Sequence, residues 1–288
     1  MKRRGILALI GVGLVAIGFA GCSALTTFDT LVPKDGGVMV AAKDVAFGPG
    51  DRQRLDVYRP AALTPGKPLP IIVFFYGGSW KTGSKEGYSW VARALAARGF
   101  VVVIPDYRLY PSVNYPAFLE DNAAAVRWTI AHSGEFGGDP KRLVLAGHSA
   151  GAYNAAMLAL DPRWLGDART SVRGLIGLAG PYDFLPFDTN TTREVFGGTP
   201  DLPSTQPVNV ADKADPPAFL ATGDNDDTVR PRNSDRLAAK LSAAGVMVER
   251  RRYPKLGHIS LLTAIAKPFR GRAPVLDDVA GFAEKVTK

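Results

Sequence analysis

Cysteine and histidine are scarce in this chain of 288 residues, which contains one cysteine and three histidines. A lone cysteine cannot form a disulfide within the chain, so the sequence excludes a fold held by a cysteine framework. Catalysis by an imidazole must use His132, His148 or His258. The composition suits a globular protein, since 46% of the residues are hydrophobic and 22% are charged. At this length the chain can bury the core of one large α/β domain.

A nucleic-acid surface is also lacking, although the formal net charge is +8. The densest basic run is residues 250–252, which follow Glu249 in a segment that alternates like a strand. No aromatic platform for stacked bases is interleaved with this run. We therefore expect these arginines to form solvated surface, and we expect no nucleic-acid partner.

The chain begins with a 15-residue apolar stretch, residues 6–20, that follows a basic start. This stretch is short of the roughly 20 residues that a membrane span needs, and its order is typical of an export signal. It ends in Phe19-Ala20-Gly21, directly before Cys22. The segment resembles a bacterial lipoprotein signal, with Phe19 where that pattern usually has leucine. The resemblance implies that Cys22 is acylated and begins the mature chain.

The expected organisation has three parts: a signal peptide over 1–21, a tether over 22–37 and one folded domain over 38–288. It predicts an exported lipoprotein, anchored in a membrane and facing the periplasm or the cell surface. An uncleaved N-terminal anchor and an ordinary secreted precursor are the alternatives.

From residue 38 onward, strand-like apolar runs alternate with segments of helical pattern. Residues 38–47 and 54–60 are expected to form a leading antiparallel pair. The later alternation predicts a mainly parallel central sheet covered by helices on both faces. Residues 184–217 are poor in strand signals and are expected to form a small lid-like insertion. Sheets of this kind place their sites at the carboxyl ends of the strands.

A serine lies between glycines at the end of one predicted strand, in Gly147-His148-Ser149-Ala150-Gly151. This G-x-S-x-G sequence stands between a buried strand and a helix rich in small residues. A chain that turns from strand to helix within one residue strains the turn residue and requires tiny neighbours. The pattern therefore predicts that Ser149 is displayed as a nucleophile.

A serine nucleophile needs a base, and His258 is the best placed of the three histidines. His258 follows the last predicted strand, where a loop would carry it back over Ser149. His148 lies inside the serine turn, where we expect a structural role and a side chain that points away from the serine. His132 lies near the end of an amphipathic helix and is expected to be exposed.

The acid that orients the base has four candidates in the required chain order of serine, acid and histidine. Asp183 follows one predicted strand, and the loop after the next strand offers Asp224, Asp226 and Asp227. Aspartates of this kind also cap turns and helices. The residues alone leave the choice open.

Hydrolysis of an acyl group also requires donors for an oxyanion. The N–H of Ala150 lies at a helix N-terminus, where the helix dipole favours negative charge. Gly77 and Gly78 follow the central strand and allow a close backbone approach to substrate. We expect the donors of this loop to be the N–H groups of Gly78 and Ser79.

Together these features resemble the α/β-hydrolases of the esterase/lipase group, in their hormone-sensitive-lipase-like and bacterial feruloyl-esterase-like forms. The resemblance covers about residues 38–286 and is carried by the motifs YGGSW (76–80), DYRLYP (106–111), GGDPKRLVLAGHSAG (137–151), GDNDDTV (223–229) and GH (257–258). Tyr76 departs from the pattern, because the oxyanion loop of the group usually begins with histidine.

The resemblance implies a carboxylic-ester hydrolase that works without metal or cofactor on a small-molecule ester. The spacing Gly223-x-x-Asp226-x-x-Val229 is the one that this loop usually shows, so the resemblance assigns the acid to Asp226. Apart from the resemblance, four aromatic side chains near the serine are expected to line a pocket for short acyl or aryl groups, although aromatics at such positions are as often core residues: Trp80, Tyr153, Tyr182 and Phe184.

Two other functions fit the same fold. One is an amide hydrolase similar to the arylformamidases. The other is a non-catalytic binding module tethered to a membrane. A complete set of serine, acid and histidine argues against the second, because a binding module has no physical need for all three.

Overall fold

The computed structural model describes residues 21–288, which form an eight-stranded sheet with helices on both sides. The strands are β1 (Val38–Ala46), β2 (Arg54–Pro60), β3 (Leu69–Phe75), β4 (Val101–Pro105), β5 (Gly138–His148), β6 (Val172–Leu178), β7 (Ala218–Gly223) and β8 (Val248–Tyr253). The α-helices are α1 (Gly21–Leu31), α2 (Ser89–Ala96), α3 (Ala117–His132), α4 (Ala150–Leu160), α5 (Pro162–Leu165), α6 (Asn190–Phe196), α7 (Pro207–Val210), α8 (Arg232–Ala243), α9 (His258–Thr263) and α10 (Val275–Val286). Short 3₁₀ turns cover Lys85–Tyr88, Ser133–Phe136, Gly166–Ser171, Pro203–Thr205 and Lys267–Arg272.

The strand order is β1-β2-β4-β3-β5-β6-β7-β8. β1 pairs antiparallel with β2, and β2 pairs antiparallel with β4. All further pairs are parallel. The predicted leading hairpin and the mainly parallel α/β sheet are therefore confirmed. The connections bring the carboxyl ends of β3, β5, β6 and β7 to one edge, where the site lies.

Burial on both faces of the sheet explains why the central strands are continuous runs of apolar residues. Residues 71–75 of β3 and 143–148 of β5 are buried, because helices cover both faces of the sheet. All residues of α4 are buried as well. Its alanines and glycine let this helix pack closely on the strands, and so fix the position of its N-terminus beside Ser149.

The segment predicted as a tether is folded onto the domain. α1 covers most of it, and the Phe28 ring packs edge-on against Trp90, with ring centroids 5.3 Å apart, and stacks on Phe269 at 6.1 Å. Phe28 and Val32 are spaced by one helical turn and are both buried. The expectation of a free tether is wrong for these residues, because this apolar pair docks the helix.

Polar contacts fasten the same segment. The Asp29 carboxylate accepts hydrogen bonds from Ser89 Oγ at 2.6 Å and from the Trp90 N–H at 2.9 Å, and thereby caps α2. Asp35 pairs with Arg270 through both carboxylate oxygens. Residues 1–20 and the Cys22 side chain, on which the predicted signal and acylation depend, lie outside the described residues. Within residues 21–288, no helix has the length and apolar character needed to cross a membrane.

The predicted insertion after β6 is short and packed. It contains α6 and α7, and Phe196 at the end of α6 is completely buried. Its backbone is tied to the loop before α3 by a hydrogen bond from the Tyr115 N–H to the Val195 carbonyl, at 3.0 Å. The insertion therefore forms one wall of the sheet edge that carries Ser149.

Candidate active site

Ser149 occupies a strained turn between β5 and α4. Its φ of +55° and ψ of −124° are unfavourable for a residue with a side chain. A Cβ on Gly147 would lie 2.3 Å from the Gly151 carbonyl carbon, and one on Gly151 would lie 2.0 Å from the Phe75 carbonyl oxygen. Both glycines are therefore required for the turn. Strain of this kind persists only where the surrounding structure imposes it, and it is typical of functional sites.

His258 begins α9, after β8, and its imidazole contacts one carboxylate. His258 Nδ1 lies 2.8 Å from Asp226 Oδ2. The other carboxylate oxygen of Asp226 accepts hydrogen bonds from the N–H groups of Thr228 (3.1 Å) and Val229 (2.8 Å). The Asp226 side chain is completely buried. This arrangement fixes the carboxylate and directs one oxygen at the imidazole, which favours the tautomer with a proton on Nδ1.

The other candidate acids have different surroundings. Asp183 forms an ion pair with Arg236 at 2.6 Å, and Asp224 forms one with Arg252 at 2.7 Å. Asp227 is exposed and follows Asp226 in the loop. Within the described part of the chain, Asp226 is the carboxylate that hydrogen-bonds His258.

His258 lies against the serine turn through His148, the residue before Ser149, with ring centroids 4.7 Å apart. Within residues 21–288 the Ser149 hydroxyl has no hydrogen bond to His258. Nucleophile and base contacts of this kind are often long in the absence of substrate and tighten in the complex.

His148 contacts the backbone of His258, which is a structural role of the kind that the sequence predicts. Its Nε2 lies 3.2 Å from the His258 carbonyl oxygen, and the two ring centroids are 4.7 Å apart. A carbonyl only accepts, so His148 Nε2 carries a proton and donates. Burial, together with the neighbouring His258, holds the pKa of His148 well below its ordinary value. His132, which the sequence predicts to be exposed, is only partly exposed: its ring stacks on Trp128 with centroids 4.5 Å apart, and its Nδ1 contacts Glu135 at 2.8 Å.

The loop after β3 has an unusual backbone that faces the serine turn. Gly78, Ser79 and Trp80 have φ values of +134°, +55° and +57°. The Gly77 N–H is occupied by the Tyr88 hydroxyl, at 3.1 Å. A Cβ on Gly77 would lie 2.9 Å from the Ser149 Cβ, so the loop and the turn are in direct contact.

The predicted oxyanion donors have no competing acceptor. Among the residues that the structure describes, none accepts a hydrogen bond from the N–H of Gly78, Ser79 or Ala150. Such groups at the start of a helix and in a left-handed loop are suited to bind an anion.

Tyr76, which stands where the esterase/lipase group usually has histidine, is held by Arg52. Arg52 donates to the Tyr76 hydroxyl at 2.7 Å and also to the Gly83 carbonyl at 2.7 Å. The Tyr107 hydroxyl donates to the Tyr76 carbonyl at 2.8 Å, and the two rings stack at 4.6 Å. Sequence reasoning did not identify Arg52 or Tyr107 as supports of the loop, although Tyr107 lies in the DYRLYP motif.

The predicted pocket residues separate into two groups. Trp80, Tyr153 and Phe184 contact one another and Phe196, with ring centroids 4.9 to 6.4 Å apart. Tyr182 is completely buried, and its hydroxyl fills the space that a Cβ on Gly177 would need. Tyr182 therefore fills the space left by a glycine, and among the described residues it has no ring contact with the other three. That these four side chains line a substrate pocket stays a prediction.

No group of three or more metal-binding side chains is found among residues 21–288. The chemistry that the described residues offer is that of a serine, an imidazole, a carboxylate and backbone N–H groups. This set suits the transfer of an acyl group to water.

Known proteins share this sequence and this fold. The BD-FAE family profile matches residues 55–241, more than half of the chain. Carboxylesterase NlhH of Mycobacterium tuberculosis is 33% identical over 241 residues, which cover 75% of this chain and 74% of NlhH. Esterase LipC of the same organism is 36% identical over 154 residues, 50% of this chain and 38% of LipC. A probable isoprenylcysteine alpha-carbonyl methylesterase of rice is 28% identical over 261 residues, 82% of this chain and 62% of the relative. The chain thus spans less than two thirds of the length of these last two relatives.

Solved structures agree at the level of the fold. Esterase B from Lactobacillus rhamnosis, in a complex with a tributyrin phosphonate, matches with a TM-score of 0.80 at 18% identity, over 100% of this chain and 97% of that one. A variant of esterase rPPE matches with a TM-score of 0.76 at 25% identity, over 98% and 96% of the two chains. The chain therefore belongs to the BD-FAE family, and its fold is that of the α/β-hydrolase esterases.

Proposed function

We propose that this protein is a serine carboxylesterase in which Ser149 is the nucleophile, His258 the base and Asp226 the orienting acid. The observation that carries the proposal is the buried Asp226–His258 pair, whose histidine packs against His148 in the strained turn of Ser149. The esterase relatives support ester hydrolysis, and the free N–H groups around the turn support stabilisation of an oxyanion.

In the first half of the reaction, the ester is split and the acyl group moves to the serine. His258 Nε2 takes the hydroxyl proton as Ser149 Oγ attacks the carbonyl carbon, and Asp226 stabilises the imidazolium. The carbonyl electrons move to oxygen, which accepts hydrogen bonds from Ala150 and from Gly78 or Ser79. The bond to the alcohol oxygen then breaks, and this oxygen leaves with the proton from His258.

In the second half, water replaces the alcohol. His258 removes a proton from the water, whose oxygen attacks the acyl carbon and forms a second oxyanion in the same place. The bond to Ser149 Oγ breaks, the serine regains its proton from His258, and the carboxylic acid leaves. No other group is required for the atoms and protons to balance.

The aromatic cluster formed by Trp80, Tyr153, Phe184 and Phe196 favours small acyl or aryl groups. Three of these four rings are buried, and the cluster is filled by its own side chains. A long acyl chain would have to displace rings in close contact, which is costly in a packed interior. We therefore expect acetate and butyrate esters to be preferred to laurate esters.

The decisive experiment combines turnover with active-site labelling. Purified protein is assayed on p-nitrophenyl acetate, butyrate and laurate, on an aryl ester and on formyl-kynurenine, and it is labelled with a fluorophosphonate. We expect labelling only at Ser149, and Ser149→Ala should abolish both labelling and ester hydrolysis. The matched control is Ser133→Ala, since Ser133 is a buried serine beside Gly138, at the opposite end of β5 from the turn; it should keep both.

The outcomes separate the candidate functions. Full hydrolysis by Ser149→Ala would refute the assignment of the nucleophile. Turnover of formyl-kynurenine alone would indicate an amide hydrolase, and no labelling or turnover in the wild-type protein would favour the binding module.

The N-terminal residues support a second proposal, which concerns location. We propose that Cys22 is acylated and that the protein is an exported lipoprotein in which a lipid anchors the domain to a membrane. The basic start, the short apolar stretch and the small residues before Cys22 support this proposal. Mass spectrometry of protein extracted from membranes should find acylated Cys22 as the first residue. An intact Met1, or an unmodified Cys22, would exclude it.

A further inference from the structure

Two consecutive residues with side chains hold the loop after β3 in a left-handed conformation. Ser79 and Trp80 both have positive φ values, which are rare for such residues. The loop cannot hold this conformation by local preference, so contacts elsewhere must impose it. The N–H groups of Gly78 and Ser79 are aimed by this same stretch of backbone.

Trp80 is fixed by a side chain of the helix that follows the nucleophile. Its indole Nε1–H donates to Asn154 Oδ1 at 3.0 Å. Asn154 is completely buried on α4, and the Trp80 ring is 3% exposed. A hydrogen bond at this depth is protected from water, so it restrains the loop more strongly than a surface contact would.

The same helix supplies the other side of the proposed oxyanion hole. α4 begins at Ala150, whose N–H is one of the donors, and Asn154 lies about one turn further along. A helix turn is rigid, so the distance between Ala150 and Asn154 is fixed. The Asn154–Trp80 bond therefore ties the two sets of donors into one unit.

We propose that Asn154 is a positioning residue, which sets the separation of the two halves of the oxyanion hole by holding the Trp80 indole. The proposal rests on the proposed function, because it assigns the role of this hydrogen bond in ester hydrolysis. In this role, Asn154 touches no reacting atom of the ester or of the nucleophile. Its effect reaches the oxyanion through Trp80 and the backbone of Ser79 and Gly78.

The test is a double-mutant cycle made of Asn154→Leu, Trp80→Phe and both changes together. Asn154→Leu removes the acceptor with little change of volume, and Trp80→Phe removes the donor but keeps an aromatic ring in the cluster. The matched control is Asn122→Leu. Asn122 is also a completely buried asparagine, on α3, and neither of its polar side-chain atoms has a hydrogen-bond partner in the part of the chain that the structure describes.

For each variant, kcat and KM are measured on p-nitrophenyl butyrate, together with Tm and the Kd of butylboronic acid, which forms a tetrahedral adduct with the serine. We expect kcat to fall about ten- to a hundredfold in each single variant, since misplacing a catalytic group by a fraction of its contact distance has effects of this size. KM should stay nearly unchanged, and butylboronic acid should bind more weakly by the same factor as kcat falls. The double variant should be no worse than either single variant, because both remove one bond. Asn122→Leu should keep the wild-type kcat.

Several results would overturn the proposal. One is wild-type kcat in folded Asn154→Leu; another is a double variant whose loss is the product of the two single losses. A third is a rise in KM with kcat unchanged, which would indicate a role in substrate binding alone. If Asn154→Leu does not fold, Trp80→Phe alone must show the fall in kcat and in boronate affinity. Inactive wild-type protein would refute the proposed function, and this inference with it, whereas active wild-type protein with unaffected variants refutes only the inference.

Discussion

The loops after β6 and β7 leave the same edge of the sheet from neighbouring parallel strands, and each offers a candidate acid, but Asp183 and Asp226 are used differently. After β6, Asp183 faces Arg236 in an ion pair that is partly exposed. After β7, Asp226 is buried, with one oxygen on backbone N–H groups and the other on His258. The first carboxylate is neutralised by a cation, and the second keeps a free oxygen for the imidazole.

The difference shows that position at the sheet edge is insufficient to make a catalytic acid. A carboxylate paired with arginine has little left to offer a histidine, since the cation competes for the same oxygens. Backbone N–H groups hold the Asp226 carboxylate without bringing a full positive charge. The two loops also connect to different elements: the β6 loop leads into the aromatic insertion, and the β7 loop leads directly into α8.

The largest expected effect is a loss of kcat/KM, and it should appear when Asp226, but not Asp183, is replaced by asparagine. Asp226→Asn should lower kcat/KM by roughly 10⁴-fold, because an amide would favour the wrong tautomer of His258. Asp183→Asn should leave kcat/KM within about twofold, since its partner is an exposed arginine. Steady-state kinetics on p-nitrophenyl butyrate measure both. If Asp183→Asn instead shows the large loss of kcat/KM, the catalytic acid lies in the β6 loop and the roles assigned to the two loops are exchanged.

A smaller effect, on stability and on the preferred acyl length, is expected when the aromatic insertion of the β6 loop loses a ring. Phe196 is completely buried against Trp80, Tyr153 and Phe118. Phe196→Ala should lower the free energy of unfolding by about 3–5 kcal/mol, as is usual for a buried aromatic ring. The space that it opens should raise the rate on octanoate relative to butyrate. Denaturant unfolding and the ratio of the two rates check this.

Ile259, next to His258, provides the control for stability because 38% of it is exposed. Ile259→Ala should change the free energy of unfolding by about 0.5 kcal/mol or less. Equal losses in the two variants would show that the insertion is no better packed than the surface beside the base. An unchanged octanoate to butyrate ratio in Phe196→Ala would show that the cluster does not limit the acyl group.

The smallest effect concerns His148, which has no carboxylate partner among residues 21–288, in contrast to His258. Its pKa is held well below the ordinary value of about 6.5 by burial and by His258. Below about pH 6.5 the unfolded chain therefore binds a proton that the folded chain does not. As the pH is lowered, the free energy of unfolding decreases by up to about 1.4 kcal/mol per pH unit. Above about pH 6.5 both states are neutral and the effect is absent.

His148→Gln should therefore flatten the acid side of a plot of Tm against pH, while its amide can still donate to the His258 carbonyl. The control is His132→Gln, which replaces a histidine whose side chain is 41% exposed. An equal flattening by both variants, or none by His148→Gln, would contradict the assignment of a buried neutral imidazole.

The sequence predicts the parts of the site that depend on local backbone geometry. Gly147 and Gly151 mark the serine turn, because a Cβ at either position would clash with backbone. The alternation of strands and helices likewise predicts the parallel sheet, whose period is a local property. His258 could be found by elimination, since the chain has few histidines.

The rest of the site depends on contacts between residues that are distant in the sequence. Arg52 reaches Tyr76 only because β2 lies beside β4 and close to the end of β3. The Asn154–Trp80 bond joins α4 to a loop 74 residues earlier. Neither residue has a local pattern that differs from ordinary surface arginine or helix asparagine. For the same reason, the sequence does not predict the docking of α1. Phe28 and Val32 can be recognised as a buried helix face only once Trp90 and Phe269 are known to lie nearby.

The docked α1 sets the place at which the chain can be shortened for expression. A recombinant version that starts at Val38 would look complete by the pattern of the sheet, yet it would lack Phe28 and Asp29. Trp90 would then lose its edge-on ring contact, and the first turn of α2 would lose its carboxylate cap. A start near residue 21 keeps both. Low solubility of the shorter version would thus come from the apolar surface at Trp90 and Phe269 that Phe28 normally covers. Such a result would be no evidence about catalysis.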